Sequence, residues 1–215
     1  MPLKVNEIFY SIQGESSWSG RPCAFVRLAG CNLRCAYCDT AYAYEEGEWL
    51  EIPAIERRID AFGSRLVEIT GGEPLIQGET PELILRLLDR GFTVLLETNG
   101  SQDIGMVDER CIRIVDIKCP SSGEMEKNRL DNLAKMTAKD EIKFVIGGRE
   151  DYEYAKGIIS RHLSTRSDLA PPLLSPVSGV MDAESLARWI LDDGLDVRLQ
   201  VQLHKVIWGS DRRGV

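Results

Sequence analysis

Short apolar runs alternate with longer amphipathic segments along most of this 215-residue chain. The apolar runs are rich in β-branched residues and several end in Gly, Pro or Asn, which is typical of strands closed by turns. They predict six strands, at residues 23–28, 66–70, 93–97, 112–117, 141–146 and 173–175. The intervening segments predict helices at residues 53–62, 80–90, 124–136, 151–162 and 182–192. A last run, residues 199–205, alternates like a half-buried strand.

The order of these elements predicts the fold class. Strand–helix alternation favours parallel strands joined by right-handed crossovers. About six such units fit an incomplete, TIM-like α/β barrel better than a closed barrel of eight strands, which takes ~250 residues. We therefore expect residues 1–215 to form one α/β domain, with functional residues in the loops after the carboxyl ends of the strands.

Composition and charge narrow the function classes. Hydrophobic residues make up 43% and charged residues 28%, which is typical of a soluble globular protein. The formal net charge of -8 offers no basic surface for nonspecific binding of nucleic acid or acidic lipid. The N-terminus lacks the apolar region of a signal peptide, and no stretch is long enough to cross a bilayer. These features predict a cytoplasmic protein without a nucleic-acid or membrane partner.

Three of the six cysteines lie on one short segment with the spacing Cys-x3-Cys-x2-Cys, namely Cys31, Cys35 and Cys38. In a reducing cytoplasm such clustering favours a metal site over disulfides. Three thiolates on one loop can bind three irons of a 4Fe–4S cluster and leave the fourth iron open. The alternative is a zinc site completed by His162 or His204. The other three cysteines predict small buried side chains: Cys23, Cys111 and Cys119.

A second motif closes the second predicted strand. Residues 70–74 read Thr-Gly-Gly-Glu-Pro. The glycines would let the backbone approach a ligand closely, and Glu73 would offer a carboxylate to an ammonium group. Taken alone, the motif is more typical of a turn that ends a strand.

Together the two motifs resemble the radical S-adenosylmethionine superfamily, whose hallmark is this cysteine spacing with an aromatic residue before the last cysteine. The resemblance implies a 4Fe–4S cluster and S-adenosylmethionine as cofactors. It also implies a set of S-adenosylmethionine contacts: Tyr37, Cys38, Asp39, Gly72, Glu73, Asn99, Asp116, Ile117, Lys118, Ser175, Pro176, Val177 and Ser178. Relatives carry different side chains at positions 116, 117, 175, 177 and 178, so we expect main-chain contacts there and a side-chain contact from Lys118.

Over its whole length the chain is similar to one family, 7-carboxy-7-deazaguanine synthase. Residues 6–16 look like the N-terminal signature of that family, and Thr40 matches its magnesium-binding residue. The resemblance implies a substrate site formed by Ile12, Gln13, Gly14, Glu15, Arg27, Thr70, Glu97, His204 and Val215. From the residues alone, three other interpretations stay open: a hairpin turn at 11–16, an internal ion pair for Arg27 and a core histidine at 204.

The resemblance further implies the reaction and its partners. A 5′-deoxyadenosyl radical would start the conversion of 6-carboxy-5,6,7,8-tetrahydropterin to 7-carboxy-7-deazaguanine, with loss of ammonia, in queuosine and deazapurine biosynthesis. Mg²⁺ would hold the substrate carboxylate, a flavodoxin or ferredoxin-type protein would supply electrons, and the chain would form a homodimer. An N-terminal segment, residues 5–16, and a C-terminal tail, residues 204–215, would close the site.

Two other classes of protein fit part of the pattern. A glycyl-radical activating enzyme shares the short cysteine spacing and the small size, but its substrate is a protein. It would not need Arg27 or the signature at residues 6–16. A noncatalytic zinc module that recruits a partner would leave the Gly-Gly-Glu-Pro motif without a role.

Overall fold

One sheet organises the computed structural model, which describes residues 1–209 and 212–215. Within these residues it has nine strands: β1 (Leu3–Ile12), β2 (Pro22–Leu28), β3 (Glu48–Leu50), β4 (Leu66–Gly71), β5 (Thr93–Thr98), β6 (Ile112–Ile117), β7 (Glu141–Ile146), β8 (Leu173–Pro176) and β9 (Arg198–Leu199). Their order is β3-β1-β2-β4-β5-β6-β7-β8-β9. Neighbours from β2 to β9 are parallel, whereas β1 pairs antiparallel with β2 and β3.

All six predicted strands are present, as β2 and β4 to β8, and no bound differs from its prediction by more than one residue. Four predicted helices are also present: α1 (Ile52–Asp60), α2 (Thr80–Asp89), α3 (Arg149–Ile158) and α4 (Ala183–Asp193). Pro53 and Pro81 lie in the first turns of α1 and α2, and the side chain of Asp182 accepts the main-chain N–H of Ser185 to begin α4. The parallel α/β organisation is therefore confirmed.

The predicted helix at 124–136 is wrong. This stretch contains two short 3-10 helices, Met125–Lys127 and Leu130–Lys135. The side chain of Asn128 binds the main chain of Lys118, and that of buried Asn132 binds the main chain on both sides of residue 103. Because these amides satisfy backbone groups of other loops, they hold the segment in an irregular path that a continuous helix would break.

The strand predicted at 199–205 is also wrong beyond its first residue. β9 ends at Leu199, and a short helix, α5 (Leu203–Trp208), follows. The side chain of Gln200 accepts from the main-chain N–H of Ser16, and the main-chain N–H of Leu203 donates to Gly14. Gln200 still bonds to β8 through its main chain, but these contacts turn the residues after it toward the loop that follows β1.

The N-terminal signature forms strand β1 and the loop of residues 13–21 that joins it to β2. Main-chain hydrogen bonds between Gln13 and both Gly20 and Arg21 close this loop, so the hairpin interpretation of residues 11–16 is correct as local structure. Strand β1 itself was not predicted, because its polar residues 4, 6 and 7 interrupt the apolar pattern.

The two faces of the parallel strands differ. One face packs against the helices through aliphatic residues such as Val26, Ile69 and Leu96. On the other face a small apolar cluster of Cys23, Phe25, Leu66, Leu95 and Ile114 lies near the strand starts. Two residues further along the same strands, and therefore on the same face, come polar side chains. They are Arg27, Glu68, Glu97 and Asp116.

Cys23, Cys111 and Cys119 are fully buried, as predicted. Within residues 1–209 and 212–215 no helix combines the length and the apolar character needed to span a membrane.

Candidate active site

A cavity of about 230 Å³ lies at the carboxyl ends of the parallel strands. Its wall includes side chains from β2, β4, β5, β6 and β7, the loops that follow them, and both ends of the chain. Most of the predicted site residues line it: Ile12, Gln13, Gly14, Glu15, Arg27, Cys31, Cys35, Tyr37, Cys38, Asp39, Thr40, Thr70, Gly72, Glu97, Asn99, Asp116, Lys118, Val177, Ser178, His204 and Val215. Residues that are separated by up to two hundred positions in sequence thus meet at one place.

Four predicted residues do not line the cavity. Ile117 is buried in the core beneath it, and Ser175 is buried with its hydroxyl donated to the main chain of Gln200. Pro176 is partly buried at the end of β8. Glu73 lies behind the wall and is fully buried.

The three clustered cysteines are free, half-buried and open to the cavity. Burial raises the pKa of Cys31 and Cys35, while the charge of Lys118 opposes the rise. In the described part of the chain no three His, Cys, Asp or Glu side chains converge as ligands of a single metal ion. In a 4Fe–4S cluster each of three cysteines binds a different iron, so the three side chains need not converge on one ion.

The Gly-Gly-Glu-Pro loop is held against the start of the cysteine loop. The main-chain N–H of Gly72 donates to Leu28 (3.2 Å) and that of Glu73 to Gly30 (2.8 Å). A Cβ atom at Gly71 or Gly72 would overlap the main-chain oxygen of Leu28 or Gly30, respectively. The glycines therefore allow two protein segments to approach closely, and Gly72 also faces the cavity.

The carboxylate of Glu73 is fully used inside the protein. It accepts the main-chain N–H groups of Leu75 (3.0 Å) and Asn99 (2.6 Å) and the hydroxyl of Thr98 (2.8 Å). Burial raises its pKa, and these hydrogen bonds oppose the rise. In this structure Glu73 joins the Gly-Gly-Glu-Pro loop to the end of β5.

Two buried polar atoms beside the cysteine loop have no hydrogen-bond partner in the described residues: the hydroxyl of Tyr37 and Oδ1 of Asp116. The other carboxylate oxygen of Asp116 accepts from Lys118 Nζ at 2.7 Å. Since buried polar atoms are nearly always satisfied, both atoms indicate a polar ligand in this part of the cavity.

Arg27 forms the internal ion pair that the sequence left open as an alternative. Its Nε donates to Glu7 Oε1 at 2.7 Å, and the same oxygen accepts from the hydroxyl of Tyr42. Within the described residues no hydrogen bond uses the two terminal nitrogens of the guanidinium group, and Arg27 lines the cavity. One edge of the group is thus fixed by protein, and the other can bind an anion in bidentate geometry.

A buried cluster of charged groups lies at the cavity. Glu15 and Glu97 were predicted as site residues from the sequence, whereas Glu68 and Lys143 were not. Lys143 Nζ binds Glu15 Oε2 at 2.9 Å and also contacts Glu97, while the amide of Gln13 donates to Glu68. Burial, the largest effect, raises the pKa of Glu68 well above its usual range, and the charges of Glu97 and Glu15 add to the rise. The missed signal was periodicity, because Glu68 and Lys143 each lie two positions before another cavity residue, Thr70 and Val145.

The C-terminal segment covers one side of the cavity. Gln202 Nε2 donates to Glu15 Oε1 at 2.9 Å, and His204 packs so closely on Gly14 that a Cβ atom there would overlap its ring. Lys205 Nζ binds Asp39 Oδ2 at 2.6 Å, and Thr40 donates to the other oxygen of Asp39. Burial would raise the pKa of Asp39, but the charge and hydrogen bond of Lys205 outweigh it and lower the pKa to about 2. The segment's residues 210 and 211 lie outside the described part of the chain.

Comparisons with known proteins agree with this geometry. The profile of the radical SAM superfamily matches residues 26–121. QueE from Escherichia coli superposes with a TM-score of 0.73 at 24% identity, over 95% of each chain, which confirms the partial-barrel fold. The chain is 48% identical to 7-carboxy-7-deazaguanine synthase of Chlorobaculum tepidum, over all of this chain and 98% of that protein. It is 42% identical to the synthase of Koribacter versatilis, over 99% of this chain and 100% of that protein.

The sheet, the cysteine loop and the matching profile define a radical S-adenosylmethionine enzyme, a class that carries a 4Fe–4S cluster and uses S-adenosylmethionine. Within that class, the full-length similarities show that the chain belongs to the 7-carboxy-7-deazaguanine synthase family.

Proposed function

We propose that this chain converts 6-carboxy-5,6,7,8-tetrahydropterin to 7-carboxy-7-deazaguanine and releases ammonia, as a carbon–nitrogen lyase of the queuosine and deazapurine pathway. One observation carries the proposal: a single cavity is lined by the cysteine loop, by Arg27 and by a cluster of carboxyl groups. Glu7 occupies only the Nε of Arg27 among the described residues. A small acid with a hydrogen-bond-donor edge complements the arginine and the carboxyl groups. Membership of the synthase family supports the same substrate.

Cys31, Cys35 and Cys38 would bind the cluster. When bound, the cluster and S-adenosylmethionine supply the 5′-deoxyadenosyl radical that removes a hydrogen atom from the substrate. The adenosine and methionine parts would contact the surface between Tyr37, Gly72 and Asp116, where two buried polar atoms lack partners in the described residues. Asn99, whose amide nitrogen lies 3.9 Å from Cys31 Sγ, belongs to the same surface.

Arg27 would bind the substrate carboxylate through the two nitrogens that Glu7 leaves free. Thr40 would bind Mg²⁺ next to that carboxylate, and the ion would keep several waters because a hydroxyl is a weak ligand. Gln13 and Glu97, which line the same cavity, would accept from or donate to the edge of the pterin ring.

Residues 5–16 and 204–215 would close the site within one domain of residues 1–215, with the carboxylate of Val215 over the substrate. Closure excludes water and oxygen from a reactive radical. The contacts of Gln202, His204 and Lys205 with residues 14, 15 and 39 support this role. We further propose a homodimer in the cytoplasm that receives electrons from a flavodoxin or ferredoxin-type protein.

Anaerobic turnover of the reconstituted protein tests the proposal. With substrate, S-adenosylmethionine, Mg²⁺ and a reductant, mass spectrometry should detect 7-carboxy-7-deazaguanine. Cys35→Ala should abolish it, because the cluster loses one of its three ligands, whereas Cys23→Ala, at a buried cysteine away from the cavity, should retain it. Formation of 5′-deoxyadenosine without the product would contradict the substrate assignment. Absence of both from protein fully loaded with iron and sulfide would contradict the proposed reaction altogether.

A further inference from the structure

Lys143 is a buried lysine in the middle of strand β7, and its side chain is 5% exposed. Its ammonium group contacts two carboxylates, Glu15 from the loop after β1 and Glu97 from β5. All three residues line the cavity. The lysine is thus the centre of a bridge between two elements that are far apart in sequence.

The cluster has more acidic groups than basic ones. Three carboxyl groups, of Glu15, Glu68 and Glu97, surround the single ammonium group of Lys143. The raised pKa of Glu68 favours its neutral acid form, which reduces the repulsion among the three carboxyl groups. Glu15 and Glu97 then share one cation, which lowers the pKa of Glu15 and opposes the rise that burial causes in the pKa of Glu97. The cluster therefore has more hydrogen-bond acceptors than the single ammonium group can occupy.

One of these acceptors is free. Lys143 contacts Oε1 of Glu97, and within the described residues no hydrogen bond reaches Oε2. Lys143 and Gln202 occupy the two oxygens of Glu15, whose position is therefore fixed. A buried ion pair of this kind is weak evidence for a role in stability, since an apolar replacement is often as stable. Its position at the cavity indicates a role in binding.

We propose that Lys143 is a positioning residue for substrate recognition, which fixes Glu15 and Glu97 so that Glu97 accepts hydrogen bonds from the amino and ring N–H groups of a 2-aminopyrimidinone edge. The inference rests on the proposed function, because the pterin substrate and the deazaguanine product both carry that edge. Lys143 acts through the carboxylates and does not itself need to touch the ligand.

Removal of the ammonium group has a consequence that depends on pH. Two buried carboxylates without a cation hold a proton more tightly, so the acceptor becomes partly protonated near neutral pH. The variant should then bind the edge better as pH rises, and more steeply than the wild type, in which burial raises the pKa of Glu97 but the charge of Lys143 opposes the rise. Charged or titratable groups that act on the cluster from the surrounding elements are Asp39, Glu68, Asp116 and His204.

The probe is 7-carboxy-7-deazaguanine itself, titrated into the reconstituted protein by anaerobic calorimetry between about pH 7 and pH 9. This range lies above the titration of His204, whose pKa burial lowers. Lys143→Met should weaken binding about ten- to a hundredfold at pH 7, the value of one to two charge-assisted hydrogen bonds, and affinity should recover with rising pH. Lys143→Arg, which keeps the charge, should retain most of the affinity and the pH profile of the wild type.

Two further variants separate positioning from folding. In the double variant Lys143→Met/Glu97→Gln, the side chain at position 97 can no longer ionise. Its affinity for the product should therefore stay low and no longer depend on pH. Lys156→Met removes a lysine of a surface ion pair with Asp193 and should change neither affinity nor profile.

Equal affinity of Lys143→Met and the wild type, or a loss that is the same at every pH, overturns the inference and leaves Lys143 a structural role. If the wild type binds neither product nor substrate, the proposed function fails and the inference fails with it. If the wild type binds the product, the variants test the inference about Lys143 separately from the proposed function.

Discussion

Carboxyl groups of similar burial around the cavity differ in charge because their nearest neighbours differ. Glu15 has Lys143 as a direct partner, and although burial would raise its pKa, the charge of the lysine lowers it. Glu68 has only the amide of Gln13, and its pKa is raised well above the usual range. At Glu97, which Lys143 also contacts, burial outweighs the charge of the lysine and the pKa is raised. The pKa of each glutamate thus depends on the balance between its burial and the charge of this one lysine.

We expect Glu68→Gln to change how the stability of the protein depends on pH, because the raised pKa of Glu68 favours its neutral form in the folded state. Because the pKa of Glu68 is raised in the folded state, its contribution to stability is present below the unfolded pKa and is lost as pH rises through the folded pKa. Glutamine cannot ionise, so the thermal midpoint of the variant relative to the wild type should increase between about pH 5 and pH 9. Glu48→Gln, in an exposed pair with Arg58, should give a constant difference. A constant difference for Glu68→Gln as well would contradict the prediction.

At the scale of elements, the cysteine loop takes its position from the strand ends on either side of it. Gly30, just before Cys31, donates its main-chain N–H to Ala43 and accepts that of Glu73. Further along, the main-chain N–H of Ala36 donates to Ser122 in the loop after β6. A flexible cluster-binding segment is thereby held at three separate points.

Gly72→Ala tests this attachment. The added methyl group would overlap the main-chain oxygen of Gly30, which cannot move without shifting Cys31. We expect a loss of about 1–3 kcal/mol in the free energy of unfolding, as for an overpacked core site, and lower iron content after reconstitution. Gly78→Ala is the matched control, because its Cβ atom would meet nothing within 4 Å. Wild-type stability and iron content in Gly72→Ala would show that the close contact of Gly72 with Gly30 does not position the cysteine loop.

Much of the local structure could be predicted from sequence, since strands β4 to β8 and the cysteine loop have strong local patterns. The charge cluster could not. In the run Glu141–Ile146 the lysine is compatible with a solvent-facing position. Only the neighbouring strands and the two chain ends, which line the same cavity, make that face an interior. The helix prediction at residues 124–136 was wrong for a related reason. The hydrogen-bond partners of Asn128 and Asn132 lie on loops that are distant in sequence.

At the scale of the whole molecule, the two ends of the chain meet over the cavity. Gly14 accepts the main-chain N–H of Leu203 at 2.9 Å, and Lys205 forms an ion pair with Asp39. The N-terminal loop and α5 are therefore parts of one wall, although almost the whole sequence separates them.

Lys205→Met should loosen this wall. Its ion pair lowers the pKa of Asp39 to about 2, so the contribution of the pair is present above the usual carboxyl pKa and is lost as pH falls toward 2. In the wild type, protection of α5 from deuterium exchange should thus be constant between about pH 5 and pH 8, after correction for intrinsic rates. The variant should exchange faster in α5 and show a higher KM. Lys139→Met, at an exposed position, should change neither the exchange of α5 nor the KM. Unchanged exchange in Lys205→Met would contradict the role of the Lys205–Asp39 ion pair.

The burial of Cys23, Cys111 and Cys119 gives the folded protein two chemically distinct sets of thiols. An alkylating reagent applied under native conditions meets only the three cysteines of the cavity, and a bound cluster shields those as well. The number of labelled sulfurs per chain therefore reports cluster occupancy directly, independent of colour, turnover or iron content. An oxygen-damaged preparation can in this way be told from an unfolded one, in which all six thiols react.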